Sequence, residues 1–320
     1  MSRGRYAPSP TGNLHLGNAR TALVAWWRAR SAGSSFVMRV EDLDEPRTMP
    51  EAVAGNLDEL RWLGIDWDEG PDVGGRFAPY RQSQRHALYQ GALRRLQKLG
   101  RVFECYLSRR ELRELASAPH GTAPAYGEDE RRLNERIAER KRAEGKVPSL
   151  RLRVPDMELR FEDELFGSQR YDASIEIGDI VLRRADGAWA YQLAVVIDDA
   201  EMEIEEVVRG ADLLASTAAQ LLLFQALGHQ PPSYFHVPLL LDEAGERLSK
   251  RRGSLTLASL RERGVAPQRV VGLLAYTLGF TEETAPLESE ELLEQKTPEH
   301  LRREPYRLRQ ELLDWLESSG

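Results

Sequence analysis

Cysteine is nearly missing from this chain: its 320 residues include one, Cys105. A lone thiol excludes an internal disulfide framework and fits a reducing compartment, so a cytoplasmic protein is expected. Long apolar runs are missing too, and none approaches the ~20 residues that cross a bilayer. The basic start Met1-Ser2-Arg3-Gly4-Arg5 has no apolar segment behind it, so no secretory signal is expected. No repeat or low-complexity tract occurs. Positive charge is not in excess either, and a net charge of −7 argues against a protein that coats nucleic acid unselectively. A local basic face remains open, since residues 131–153 carry nine Lys or Arg against three Glu. That stretch reads equally as a surface for a polyanion or as a solvated helix with pairs such as Arg131–Glu135 and Arg136–Glu139.

What is present suits a large folded body. Hydrophobic residues make up 41% of the chain and include six Trp, ample for two cores or for one α/β domain with insertions. The most informative stretch is 5–20. A short strand pattern runs into Pro8, Pro10 and Gly12, which cannot continue it, and then delivers His15 and Gly17 at the start of a helix expected over 19–32. Such a turn lets a phosphate reach the free N–H groups and positive end of a helix, and an imidazole there can donate to a phosphoryl oxygen. A second strand pattern, 36–40, ends in Glu41-Asp42-Leu43-Asp44. Strand, helix, strand in about forty residues makes a βαβ unit, hence a parallel sheet and an α/β fold. Ligands bind such sheets beyond the carboxyl ends of the strands, where Arg5 to Ser9 and Glu41 both fall.

Further along, helices are expected over 50–63 and 83–99, closed by Gly64 and Gly100, with a strand over 102–106. Ser108 and Glu111 have the spacing of a capping box. Residues 116–130 read as a loop, 131–144 as the basic helix, and 150–154, 159–166 and 175–184 as strands of an antiparallel insertion. The α/β pattern returns with an apolar helix or strand end at 191–199, a strand at 205–209, a helix at 213–227 stopped by Gly228, and a strand at 234–241. A basic loop with Arg247-Leu248-Ser249-Lys250-Arg251 follows. Residues 255–316 read as three or four helices without strands.

His15-Leu16-Gly17-Asn18 and Arg247-Leu248-Ser249-Lys250-Arg251 together resemble the His-Ile-Gly-His and Lys-Met-Ser-Lys-Ser signatures of class I aminoacyl-tRNA synthetases. The resemblance is closest to the glutamyl branch. Arg5-Tyr6-Ala7-Pro8-Ser9-Pro10-Thr11-Gly12, Arg39-Val40-Glu41-Asp42-Leu43-Asp44, Arg81-Gln82-Ser83-Gln84-Arg85, Tyr191-Gln192-Leu193-Ala194-Val195-Val196-Ile197-Asp198-Asp199 and Val208-Arg209-Gly210-Ala211-Asp212-Leu213-Leu214 carry it as far as about residue 255. Some seventy residues then remain after the Ser-Lys loop, which is similar to the short glutamyl-queuosine tRNA(Asp) synthetases rather than to the longer glutamyl-tRNA synthetases. The resemblance implies a Rossmann-type parallel-sheet catalytic domain with an inserted α+β subdomain and a helical C-terminal part. Its halves would occupy 1–100 and 189–254, the insertion 101–188 and the helical part 255–320.

It also implies roles. His15 and Lys250 would serve adenylation, with ATP, carrying Mg2+, on His15, Gly17, Asn18, Ser249 and Lys250. L-glutamate would be held by Arg5, Ser9, Glu41, Tyr191 and Arg209, although the local pattern alone leaves Tyr191 as a core aromatic and Arg209 as a strand-end charge. Asn18, where the signature often has a second histidine, is expected to position rather than to catalyse. One departure concerns metal. The family's zinc site uses Cys-x-Cys, a Tyr and a later Cys; here Cys105 and Tyr126 stand, but Leu107 and Glu130 take the other places, so no zinc is expected. The implied acceptor is the anticodon stem-loop of tRNA(Asp) carrying queuosine, met by the basic helix and by Arg251, Arg252, Arg302, Arg303 and Arg307; a monomer suffices and no membrane is involved. Two other readings stand beside it: a truncated glutamyl-tRNA synthetase charging tRNA(Glu), and a non-catalytic RNA- or amino-acid-binding paralogue. A nucleotidyltransferase of the same fold would leave Arg5, Glu41, Tyr191 and Arg209 without a purpose.

Overall fold

The computed structural model describes residues 2–108, 111, 126–246, 248, 255–294 and 301–318. The chain opens with β1 (Arg3–Tyr6), α1 (Leu16–Ser31) and β2 (Ser35–Met38). Helix α1 begins three residues earlier than its apolar pattern announces, because His15 caps it. Its Leu23, Trp26 and Trp27 are buried in the same cluster as Phe36, Met38, Val208 and Phe235, which fixes the helix to one face of the sheet. Then come α2 (Pro50–Trp62), α3 (His86–Lys98), β3 (Val102–Cys105), α4 (Glu128–Ala143), β4 (Ser149–Leu152), β5 (Glu158–Asp163), β6 (Gly167–Asp172) and β7 (Ile180–Arg183). The return to α/β is α5 (Tyr191–Glu201), β8 (Glu206–Gly210), α6 (Leu214–Leu227) and β9 (Ser233–Val237). The described remainder holds β10 (Leu240–Leu241), α7 (Leu257–Glu262), α8 (Pro267–Leu278), α9 (Glu291–Glu294), β11 (Tyr306–Arg307) and α10 (Gln310–Glu317).

The main sheet has the order β2-β1-β8-β9-β5-β6. Its first five strands are parallel, and β6 is antiparallel to β5. This is the α/β, Rossmann-type parallel sheet that the βαβ start announces. From β1 the chain first crosses to β2 on one side, while the later strands build outward from its other side. The β1–β8 boundary is therefore the topological switch point, where open parallel sheets bind ligands. Strands β3, β4 and β7 form a separate antiparallel sheet.

Four details depart from the pattern reading, the first being that the 159–166 strand does not stay in an antiparallel insertion, since β5 joins the main sheet in parallel with β9. The strand expected over 175–184 shrinks to β7, because the Asp172 carboxylate accepts the Ser174 and Ile175 amides, both at 3.0 Å, and curls the chain away from the extended form. The 191–199 stretch is entirely helical, as α5. The region after 255 is not free of strand: β11 pairs in parallel with β10, the Tyr306 amide donating to Leu239 O at 2.9 Å and that of Leu308 to Leu241 O at 2.8 Å. A two-residue ladder leaves no alternation to read.

Candidate active site

A cavity of about 550 Å³ opens at the switch point. It is walled by the turn after β1 (Ser9, Thr11, His15, Gly17, Asn18), by Arg5 on β1 itself, by Glu41 beyond β2, by Tyr191 at the start of α5, and by Arg209 and Asp212 from the end of β8 and the turn after it. All the described residues that the sequence offers for glutamate and ATP thus border one space. Ser249 and Lys250 lie outside the described residues, as do Arg247, Arg251 and Arg252. The described flanks of that loop reach the same place: Leu248 lines the cavity, and Leu255 O accepts from the Leu16 amide at 3.3 Å, next to the His15 cap.

His15 is itself the N-cap of α1. Its Nδ1 accepts the backbone amides of Gly17 at 3.0 Å and Asn18 at 3.3 Å, and the Asn18 carboxamide oxygen accepts from the His15 amide at 3.2 Å. An Nδ1 that accepts carries no proton, so the neutral ring bears its proton on Nε2. The cap therefore fixes the tautomer that can donate to a phosphoryl oxygen without a charged imidazole. Gly17 makes room for it: a Cβ there would lie 2.9 Å from His15 Cε1 and 3.0 Å from Nδ1. The turn is held from behind by Glu59 of α2, whose carboxylate accepts the Leu14 amide at 2.9 Å.

Beneath the cavity runs a buried ion network that pattern reading does not reveal. Arg39, fully buried, donates to Asp199 at 2.7 Å and to Glu41 at 3.2 Å. Asp199 also stands 3.5 Å from Arg5 Nε. Asp198 is served in turn by Arg85 at 2.6 Å, Gln82 at 2.8 Å and Tyr89 at 2.9 Å. Arg39 and Asp199 thereby link Arg5 and Glu41 through buried partners of opposite charge. Burial raises the Glu41 carboxyl above its usual range, with Arg39 and Arg5 acting against that shift. Among the described residues Arg5 gives one hydrogen bond, from Nη1 to Val208 O at 3.1 Å, so that Nη2 can offer its donors to a ligand.

Arg209 is more committed. It donates from Nε to His236 Nε2 at 3.0 Å, from Nη1 to Gln220 at 2.8 Å, and from Nη2 to Thr217 at 2.7 Å and Leu213 O at 3.3 Å. A guanidinium has five N–H donors, so one remains. Arg5 can chelate a carboxylate; Arg209 can offer it charge and a single bond. The Tyr191 side chain is not a core aromatic: the residue is 37% exposed. Ser9 is exposed on the rim.

The other sequence candidates divide. Arg131, expected to pair along its helix with Glu135, instead holds Asp179 through two bonds of 2.6 and 2.7 Å, and Lys141 pairs with Glu111 at 3.1 Å. Arg132, Arg140 and Arg142 stay exposed on α4, as do Arg302, Arg303 and Arg307 beyond α9. Cys105, Leu107 and Tyr126 pack together in a small apolar cluster, while the Glu130 carboxylate accepts the Gly127 amide at 2.8 Å and caps α4.

Residues 2–315 match the family model for class I tRNA synthetases (E and Q), catalytic domain. A protein of Symbiobacterium thermophilum named glutamyl-Q tRNA(Asp) synthetase is 50% identical over 311 residues, 96% of each chain. One of the same name from Nitratidesulfovibrio vulgaris is 50% identical over 288 residues, 89% of each. Among solved structures, a glutamate tRNA ligase of Elizabethkingia meningosepticum in complex with its amino acid superposes with a TM-score of 0.85 at 28% identity, covering 98% of this chain and 68% of that one. With a parallel sheet, a ligand cavity at its switch point and a capping histidine at that cavity's wall, the chain belongs to the class I tRNA synthetases of the E and Q type, a family of ligases.

Proposed function

We propose that the cavity takes up L-glutamate and ATP, joins them as glutamyl-adenylate, and passes the glutamyl group to queuosine at the wobble position of tRNA(Asp). The supporting observation is the charge pattern on the cavity wall. Of its charged residues, Arg5, Arg209 and Glu41 offer two guanidiniums and one carboxylate, the inverse of glutamate's two carboxylates and one ammonium, and Asp212 adds a second carboxylate in the turn after β8. The Tyr191 hydroxyl and Ser9 add short polar contacts at the open side. The names of the relatives favour this acceptor over others.

In the first half-reaction a glutamate carboxylate oxygen attacks the α-phosphorus of ATP. A new P–O bond forms as the bond to pyrophosphate breaks, and pyrophosphate leaves with the electron pair. The protein's part is to hold both reactants in line and to meet spreading phosphoryl charge. His15 does so with Nε2–H, the α1 terminus with its dipole, Gly17 and Asn18 by giving their amides to His15 Nδ1 and so aiming that ring, and the Ser249-Lys250 loop with a cation for the leaving pyrophosphate. A charge-assisted hydrogen bond of this kind contributes about 1.5–3 kcal/mol. Mg2+, arriving with ATP, would supply charge screening for the phosphate oxygens. In the second half-reaction a hydroxyl of the queuosine cyclopentene diol attacks the activated carbonyl and AMP leaves. Segment 101–188 would face the RNA, with Arg132, Arg140 and Arg142 toward its phosphates. Zinc has no part in this reading, since Leu107 cannot ligate it and Glu130 is engaged as a cap.

The deciding experiment supplies ATP, labelled glutamate, and tRNA with or without queuosine. Label on queuosine-containing tRNA(Asp) alone is the expected result, together with glutamate-dependent pyrophosphate exchange in the absence of tRNA. The likeness to a solved glutamate tRNA ligase supports a second reading, and label on the 3′ end of unmodified tRNA(Glu) would establish it instead. Exchange that never occurs would leave a binding protein.

A further inference from the structure

Three neighbouring strands each contribute one buried polar side chain to a single line: Asp163 on β5, His236 on β9 and Arg209 on β8. Their exposures are 1%, 0% and 5%, and Arg209 and His236 are register partners. Asp163 Oδ2 lies 2.6 Å from His236 Nδ1, and His236 Nε2 lies 3.0 Å from Arg209 Nε. Arg209 Nε–H can only donate, so His236 Nε2 must accept and its proton must sit on Nδ1. The reaction outlined above gives Asp163 and His236 no task, and no motif marks them. We propose that Asp163 and His236 are positioning residues that set the glutamate specificity of the cavity, Asp163 fixing the Nδ1–H tautomer of His236 and His236 fixing the plane of the Arg209 guanidinium. This rests on the glutamate reading of the site.

Several features support it. Burial works to raise the Asp163 carboxyl, but bonds from His236 and from the Phe166 and Leu165 amides outweigh it and hold Asp163 below the usual carboxylate range, as an anion that accepts. Burial depresses His236, against the pull of Asp163, which suits a neutral ring. Thr217 closes the arrangement: its oxygen accepts from Arg209 Nη2 and lies 3.3 Å from His236 Nε2, to which its hydroxyl can donate. With four of five Arg209 donors committed, the direction of the last is set by these partners rather than by the ligand. A guanidinium fixed in this way has little ordering entropy left to lose when a carboxylate binds.

Asp163→Asn tests the chain of dependence. Asp163 Oδ1 accepts the Leu165 amide at 3.1 Å and the Phe166 amide at 2.8 Å, so an asparagine would keep its oxygen there and turn its NH2 toward His236. His236 Nδ1 must then accept, the ring proton moves to Nε2, and two donors face each other at Arg209. In pyrophosphate exchange, KM for glutamate should rise about tenfold while KM for ATP stays within about twofold. The double variant Asp163→Asn, His236→Gln has no tautomer to reverse, and its carboxamide oxygen can turn to Arg209. It should recover most of the lost glutamate affinity, which mere damage to packing would not. With the six histidines labelled with 15N, the His236 signal, identified by its loss in His236→Gln, should report Nδ1–H in the unaltered protein and Nε2–H in Asp163→Asn. A glutamate KM unchanged in Asp163→Asn, an equal rise for ATP, or an Nε2–H tautomer in the unaltered protein overturns the inference. An unaltered protein without glutamate-dependent exchange overturns the reading of the site and this role with it.

Discussion

Gly17→Ala separates stability from catalysis at the His15 cap. The added methyl would stand 2.9 Å from His15 Cε1 and 3.0 Å from Nδ1, against an ordinary carbon contact of about 3.5–4.0 Å. The ring must therefore move by about 0.5 Å or more, or turn about its side-chain bonds. Either response lengthens the 3.0 and 3.3 Å bonds that Nδ1 accepts and carries Nε2–H off its line to the phosphates. Losing an N-cap costs about 0.5–2 kcal/mol. Alanine in place of glycine returns up to about 1 kcal/mol in a helix. The two nearly cancel, and a net change within about 1 kcal/mol moves the midpoint of a chain this long by no more than a few degrees. Catalysis has no such offset, since misplacing a reacting or stabilising group by about 1 Å costs about a hundredfold. The expected result is a ten- to hundredfold fall (about 1.4–2.7 kcal/mol) in kcat for glutamate-dependent pyrophosphate exchange, with an almost unchanged melting temperature. A Gly17→Ala protein of full activity would refute the account of the cap. So would a collapse in stability, because the methyl would then be disturbing the fold rather than the ring.

Other outcomes follow from the same geometry. Glu41 must be ionised to take an ammonium, and burial raises its carboxyl above the ordinary value of 4.5, so KM for glutamate should climb on acidification at a pH where free carboxylates are still ionised. That limb should vanish in Glu41→Gln, which binds glutamate poorly at every pH. For stability the sign is opposite: a raised carboxyl favours the folded state below its unfolded value, and this contribution fades as pH rises through the folded one. Asp199→Ala leaves Arg39 buried beside an emptied partner position and should destabilise the fold by about 3–5 kcal/mol in denaturant titration, along with the loss of glutamate binding. Metal analysis of the purified protein should find no stoichiometric zinc, and chelator should leave its melting temperature unchanged; stoichiometric zinc would contradict the reading of Leu107 and Glu130.

The parts of this protein that sequence reveals are those that repeat a local pattern. The βαβ start, the helix stops at Gly64 and Gly100 (φ +78° and +67°) and the capping box of Ser108 and Glu111 are events within a few residues of chain, where backbone stereochemistry leaves few choices. The site residues are legible for another reason. Glu41 stands out at the end of an apolar strand pattern, whereas Arg5, Tyr191 and Arg209 become candidates only through the family resemblance. Partnerships are what the pattern conceals. Nothing about Asp163, 73 positions from His236, says that the two share a proton, and nothing about Arg131 says that it will choose Asp179 over Glu135 on its own helix. The Asp163–His236 pair comes from strand order, which sets β5 beside β9, and the Arg131–Asp179 pair from the contact of α4 with the chain just before β7. His15 shows both sides of this. Sequence placed a donor at a helix start; only the geometry shows that the helix, by giving two amides to Nδ1, selects the nitrogen that donates. The imidazole is thus set by the backbone it caps, and the phosphate-facing role proposed for the turn would depend on a glycine whose contribution there is the absence of a methyl group.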